Sequence, residues 1–367
     1  MSKFRYGHAR GKDWREAAQA CLAQLGKGGS LGFLYVTDLV SDRLQEILTV
    51  FRRVTGVEHW VGTVGMGVCA TAKEYLDECA IVAMTGEFEA GSFRVFGDVA
   101  DEDGVAALDL ECGASPAAFA MVHANPNHAR IPALVAALAD KVESGFLTGG
   151  LTSSRQHNFQ VADGVSEGAL SGVAFADTIT VATRLTQGCT PLGPKHTITA
   201  AQRNVLLTLD GRPALEVLKE DIGEELASAL NRLGGTVFVG LPIPGSDTGD
   251  YLVRHLVGLD PSNQLVAIGE MVQPGGSVMF CVRNRTTARE DMSRMLESIR
   301  TGLYGEPRGG IYYSCLGRGA GLFGKDSQEL KMIRDALGDV PLVGFFCNGE
   351  ISHNRLYGYT GVLTLFV

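Results

Sequence analysis

Ile311-Tyr312-Tyr313-Ser314-Cys315-Leu316, followed by Gly317-Arg318-Gly319-Ala320-Gly321-Leu322-Phe323-Gly324, decides the class of fold. The first six residues are a continuous apolar run rich in aromatic residues, the pattern of a buried strand. The next eight contain four glycines, so the reading makes them an irregular turn. Asp326 and Ser327 then stand where a helix over about Gln328 to Leu337 needs its cap, with Leu330, Ile333, Ala336 and Leu337 on one stripe. Gly338 stops that helix, Pro341 to Phe346 reads as the next strand, and Asn348-Gly349-Glu350 closes the unit. A turn that opens a helix presents backbone amides to an anion, so a ligand is expected here.

Working outward, strand and helix patterns alternate, which indicates an α/β fold. Asp13 caps a first helix with Trp14, Ala17, Ala18, Cys21, Leu22 and Leu25 on one face, and Gly26 ends it. Leu31 to Thr37 is a strand, and Ser41 or Asp42 is expected to cap a second helix. Strands follow at His59 to Val64, Ala80 to Met84 and from Phe93. The segment Ala118 to Phe175 repeats the order of the opening unit: strand, loop, helix from about Pro132, glycine-bearing strand, His157-Asn158, strand. The second version continues through His353-Asn354 to Leu363. The expected architecture is two related strand–helix–strand halves facing a common cleft, where ligands usually bind. The expected domains are an N-terminal helix region (1–30), a first half (31–220) and a second half (221–367), with Gly245 to Asp250 a polar loop.

The chain has 367 residues, 45% of them hydrophobic and 20% charged, enough for full cores. Its net charge of −9 and the absence of any Lys/Arg run longer than two exclude a phosphate-backbone partner, so no nucleic acid is expected. No apolar stretch reaches the about 18–20 residues needed to span a bilayer, and the N-terminus does not read as a signal peptide. The eight cysteines contain no C-x-x-C pair and read as free thiols. A cytoplasmic protein without a membrane partner is the expectation. The eight histidines form neither H-x-x-x-H nor H-E-x-x-H, which argues against a zinc enzyme.

Several segments, in this order, resemble the FIST family. They are Gly149-Gly150-Leu151-Thr152-Ser153-Ser154, Ser171 to Phe175, Gln187-Gly188-Cys189-Thr190-Pro191-Leu192-Gly193-Pro194 with Thr197-Ile198-Thr199, and Leu209 to Ala214. In the second half they are Cys315-x-x-Arg318, Gly344 to Ile351 and Tyr359 to Thr364. The resemblance covers about residue 30 to the end. It implies a sensory protein with an N-terminal and a C-terminal FIST domain, binding a small molecule such as an amino acid and needing no cofactor. The signal would pass to a separate partner such as a histidine kinase. Some family members are haem proteins that report nitric oxide. That implies haem as an alternative cofactor, with His196, His157 or His353 as the iron ligand.

The residues expected to line the ligand site are Arg155, His157, Gln187, Cys189, Cys315, Arg318, Gly319, Gly321, Asn348, Glu350 and His353. Arg155 and Arg318, placed in equivalent loops, are the carboxylate-binding candidates, or else surface residues, Arg318 then pairing with Glu350 or Asp326. Gly319-Ala320-Gly321-Leu322-Phe323-Gly324 matches G-x-G-x-x-G, and with Lys325 a G-x-x-x-x-G-K in which Asp326 replaces the Ser or Thr. Nucleotide, small anion and purely structural turn all remain open for this loop. Cys315 or Cys189 as nucleophile, with a histidine and with Glu350 as acid–base partner, would make a nucleophilic site; the reading favours a receptor over an enzyme.

Overall fold

The computed structural model describes residues 3–113, 115–243 and 251–367, so the polar loop Gly245 to Asp250 lies outside the described residues. The chain divides into two compact units, one running to Thr186 and resuming at Ser293, the other Gln187–Met292.

The first unit holds three six-stranded sheets of one design. In the first sheet, Leu31–Thr37 and His59–Gly65 are parallel neighbours joined through the helix Leu44–Thr55. Ala80–Gly86 returns antiparallel beside Leu31–Thr37, and Phe4–Arg10 flanks it on the outside. The second sheet repeats this with Phe119–Ala124, Phe146–Leu151, Leu170–Phe175 and Phe93–Val99, and the third with Gly309–Cys315, Leu342–Cys347, Gly361–Phe366 and Val181–Thr186. The two units read from the sequence are therefore the second and third of three.

Each copy also lends a hairpin to another copy's sheet. Gly67–Ala70/Lys73–Leu76 of the first copy extends the third sheet, with Val68 opposite Phe345. Gln160–Ala162/Val165–Ser166 of the second extends the first sheet, with Gln160 opposite Thr63. Glu350–Ser352/Arg355–Tyr357 of the third extends the second sheet, with Glu350 opposite Gly150. The exchange is cyclic, so no copy completes its sheet alone.

One contact explains a glycine in each copy. Gly62, Gly149 and Gly344 sit opposite Leu34, Val122 and Tyr312 of the neighbouring parallel strand. A Cβ there would stand 1.8, 1.9 and 1.8 Å from those residues' carbonyl oxygens. The next register position carries Tyr35, His123 and Tyr313, all fully buried.

The inner faces of the three sheets share one apolar cluster that includes Phe33, Met84, Met121, Phe175, Ile311, Phe345 and Phe366. Helices cover the outer faces. Trp14–Leu25 and Leu44–Thr55 bury Ala17, Cys21, Leu25, Ile47 and Phe51 with Leu34, Trp60 and Ile81 of the first sheet. Ile131–Lys141 buries Leu134, Val135 and Leu138 in the cluster that holds Val122 and Leu147 of the second.

In the second unit, six antiparallel strands close a ring of pairings: Ser277–Val282, His196–Gln202, Val205–Leu209, Leu265–Ile268, Tyr251–Asp260 and Val237–Pro242, the last pairing back to the first. The helix Ala214–Ala227 buries Leu215, Leu218 and Ile222 among Leu206, Val266 and Phe280. A kink at Gly223 interrupts it.

Several local expectations are met. Asp13 caps the first helix through its carboxylate, and Gly26 and Gly338 end theirs. Others are corrected. Neither Ser41 nor Asp42 caps the second helix: a 3-10 turn, Asp38–Arg43, precedes it and the cap position is Arg43 without a side-chain bond. The glycine-rich run is not irregular throughout, since Gly319–Phe323 is a short helix. His157-Asn158 does not match His353-Asn354, which form the turn of a hairpin whose first strand corresponds in register to Gln160–Ala162. Residues before Leu31 contribute an edge strand as well as a helix. Among the described residues, no helix is long and apolar enough to cross a membrane.

Candidate functional site

The glycine turn after Cys315 binds anions, and the anions are the protein's own. Gly319 N donates to Glu329 Oε2 at 2.9 Å. Glu329 is fully buried and also accepts Arg318 Nε at 2.7 Å, the Tyr312 hydroxyl at 2.7 Å and the Ser314 hydroxyl at 3.3 Å. Gly319 needs its positive φ of 55°, and a Cβ on it would lie 2.8 Å from the Phe346 ring. Arg318 is thus a core residue paired with Glu329 rather than a surface residue, and its charge also acts on Glu350. Its Nη1 reaches the carbonyls of Thr186 and Tyr359, and Phe323 packs under it. The Ala320 amide favours the charged form of Glu74. Burial and the Glu329 charge outweigh it and push that carboxyl up to about 7. Gly321 is exposed, with open space around it.

Cys315, Cys347 and Glu350 form a second cluster. Cys315 and Cys347 face each other in register on adjacent parallel strands. Glu350 is fully buried; its Oε2 accepts Thr360 N at 3.0 Å and Thr360 Oγ1 at 2.6 Å, while Oε1 has no hydrogen-bond partner among the described residues. Burial pushes this carboxyl up to about 8, against the opposing pull of Thr360, Arg318 and the Cys315 thiol. Asn348 is exposed, and its amide donates to Leu151 O.

The remaining candidates are dispersed. Arg155 follows the second parallel strand of its copy and Arg318 the first of its own, so the two loops are not equivalent. Arg155 grips Asp38 with Nε at 2.7 Å and Nη2 at 2.8 Å, and Asp77 with Nη1 at 2.8 Å. Both arginines expected to hold a ligand carboxylate already hold internal ones. His157 is exposed and stacks on Phe159; His353 is exposed and packs against Phe146. In the second unit, Gln187 donates its amide to Tyr251 O, and the Tyr251 hydroxyl donates to Cys189 O at 2.9 Å. His196 is bound at both ring nitrogens, by Asp210 at 2.7 Å and Asp221 at 2.9 Å. That leaves no nitrogen for haem iron, and the residue does not fit the group. Among the described residues, no three His, Cys, Asp or Glu side chains are grouped to hold a metal ion.

A cavity of about 530 Å³ lies elsewhere on the first unit, lined by Phe4, Phe88, Phe366, Glu87, Glu89 and Arg308 together with Thr178 to Thr180. Its apolar wall is three packed rings: Phe4–Phe366 stacked at 5.0 Å, Phe88–Phe366 at 5.5 Å and Phe4–Phe88 edge-on at 5.6 Å. Arg308 donates to the main-chain oxygen of Val367, but among the described residues its Nε has no partner and no carboxylate side chain pairs with it. Glu87 has only a 3.7 Å contact to Arg5, and Glu89 has no ion pair among the described residues. A neighbouring groove of about 630 Å³ also carries opposite charges, but there Arg94 is paired with Asp109, and Asp163 with His59. Sequence reading missed the first cavity, because its residues come from five distant segments without a motif.

Comparison with known proteins agrees with the resemblance. The FIST N domain matches residues 30–212 and the FIST C domain residues 214–353. This chain belongs to the FIST family, whose domains are sensory domains of signal transduction. A Mycobacterium tuberculosis protein described as uncharacterized is 36% identical over 236 residues; the match spans 62% of this chain and only 61% of that protein's length. A Mycobacterium bovis protein, also described as uncharacterized, is 28% identical over 384 residues, 97% of this chain and 96% of its own.

Proposed function

We propose that this protein is a cytoplasmic sensory receptor for a small zwitterionic metabolite of the amino-acid type. It binds the ligand in the Phe4–Phe88–Phe366 cavity and passes the signal to a separate partner such as a histidine kinase. The observation that supports this reading most is Arg308: a guanidinium beside a cavity, without a carboxylate side chain of its own among the described residues. At Arg155 or Arg318 an anion would first have to displace Asp38 or Glu329, whereas at Arg308 it would compete with the main-chain oxygen of Val367. Arg308 would take the ligand carboxylate, Glu87 and Glu89 its ammonium group, and the rings its side chain. The rings give the cavity one apolar wall, and its charged and hydroxyl side chains give the convergent polar groups that fix a ligand's orientation.

Thermal stability against the natural amino acids, together with analogues lacking either the amine or the carboxylate, tests this. At 100 times its dissociation constant a ligand should stabilise the protein by about 2.7 kcal/mol. Arg308→Gln should retain the fold and lose the response. A flat response across the panel, or an undiminished one in Arg308→Gln, would overturn the assignment.

A further inference from the structure

None of the eight cysteines is in a disulfide, and two of them stand in register on adjacent strands. Cys315 ends the strand Gly309–Cys315 and is half-buried, while Cys347 is fully buried. Ile311, Tyr313, Val343, Phe345 and Cys347 all belong to the inner cluster. By strand alternation Cys315 shares that face. Neighbouring strands lie about 4.8 Å apart, inside the Cα separation that a disulfide spans. The two thiols are close enough that Cys315 helps raise the Cys347 thiol above its ordinary range, behind the larger effects of burial and Glu350. Beside them is Glu350, a buried carboxyl with one oxygen lacking a hydrogen bond among the described residues. At the same register position the first copy carries Thr37 and Gly65, and the second copy's paired register ends one position earlier, at Ala124 and Leu151. Only the third copy brings sulfur to this place.

We propose that Cys315 and Cys347 are a redox couple, closing a reversible disulfide with Glu350 as the local proton acceptor. The oxidant is a low-molecular-weight disulfide. Cys315, the more accessible thiol, gives its proton to the ionised form of Glu350 and attacks one oxidant sulfur; the oxidant S–S bond breaks, and the departing small thiolate takes that proton back from Glu350. Cys347 then attacks the Cys315 sulfur, displacing the second small thiol, which leaves with the Cys347 proton. Two protein thiols and one small disulfide become one protein disulfide and two small thiols. Cys315 is partly exposed, and exposed disulfides are the readily reduced, regulatory kind. This input is independent of the metabolite cavity.

The folded full chain is exposed to oxidised glutathione, quenched by acid alkylation and mapped as peptides without reduction. The expected product is a Cys315–Cys347 cross-link that dithiothreitol reverses. In Cys347→Ser, oxidation should stop at a glutathione adduct on Cys315. In Glu350→Gln, cross-linking should slow at least ten-fold with the circular dichroism spectrum unchanged. Cys79→Ser, which removes another half-buried thiol, should leave the rate unaltered. A glutathione adduct on Cys315 without cross-linking in the wild-type chain, or no reaction at either residue, would overturn the proposal.

Discussion

Glu350 shows at residue scale how burial sets chemistry. Its carboxyl titrates at about 8 in the folded chain, against an ordinary 4.5. The folded state therefore binds this proton more tightly than the unfolded state. The associated stability is fully present below pH 4.5 and is lost as pH rises towards 8, with a slope of at most about 1.4 kcal/mol per pH unit. Glu350→Gln mimics the neutral acid and should cancel that slope. Urea unfolding at about pH 5, 6.5 and 8 should show the variant gaining on the wild type as pH rises; parallel curves would contradict the buried-acid reading. Glu350 was legible in the sequence as the acid that closes the glycine unit. The carboxylate partner of Arg318 was not. Asp326 and Glu350 looked closer in pattern, but helix Gln328–Leu337 turns Glu329 inward under the turn, and that contact exists only once the helix packs.

At the scale of elements, the parallel strand pairs are held close by one glycine in each copy. Gly149→Ala should therefore cost about 1–3 kcal/mol or more, because the new methyl meets the Val122 carbonyl rather than a yielding side chain. Gly62→Ala and Gly344→Ala should match it. Gly321→Ala, in open space within the short helix, should be neutral or stabilise by up to about 1 kcal/mol. Denaturant midpoints of the four variants decide the matter, and equal effects would refute the close approach. Strands and helices were mostly legible, because apolar runs and amphipathic stripes are local signals. The hairpin exchange was not, since Gln160 meets Thr63 and Glu350 meets Gly150 across long stretches of chain. The Asp38–Arg155 pair leaves no local trace either. Asp38 opens a 3-10 turn where a capped helix start was expected, and its carboxylate is claimed by an arginine from the second copy.

For the whole molecule, three interlocked copies make one core, and the inserted barrel Gln187–Met292 is a separate compact unit. The sequence showed two copies, because the first lacks the His-Asn pair that drew the comparison. Specialisation is unequal among them: the paired thiols belong to the third, while the cavity proposed for the ligand draws Phe4 and Phe88 from the first and Arg308 and Phe366 from the third. The most direct test of the receptor account is a crystal structure of the full chain with the most stabilising amino acid from the thermal panel. The account expects the ligand side chain against Phe4, Phe88 and Phe366 and its carboxylate on Arg308. Ligand density beside Glu350 and Cys315 instead, or an empty cavity at saturating ligand, would contradict it.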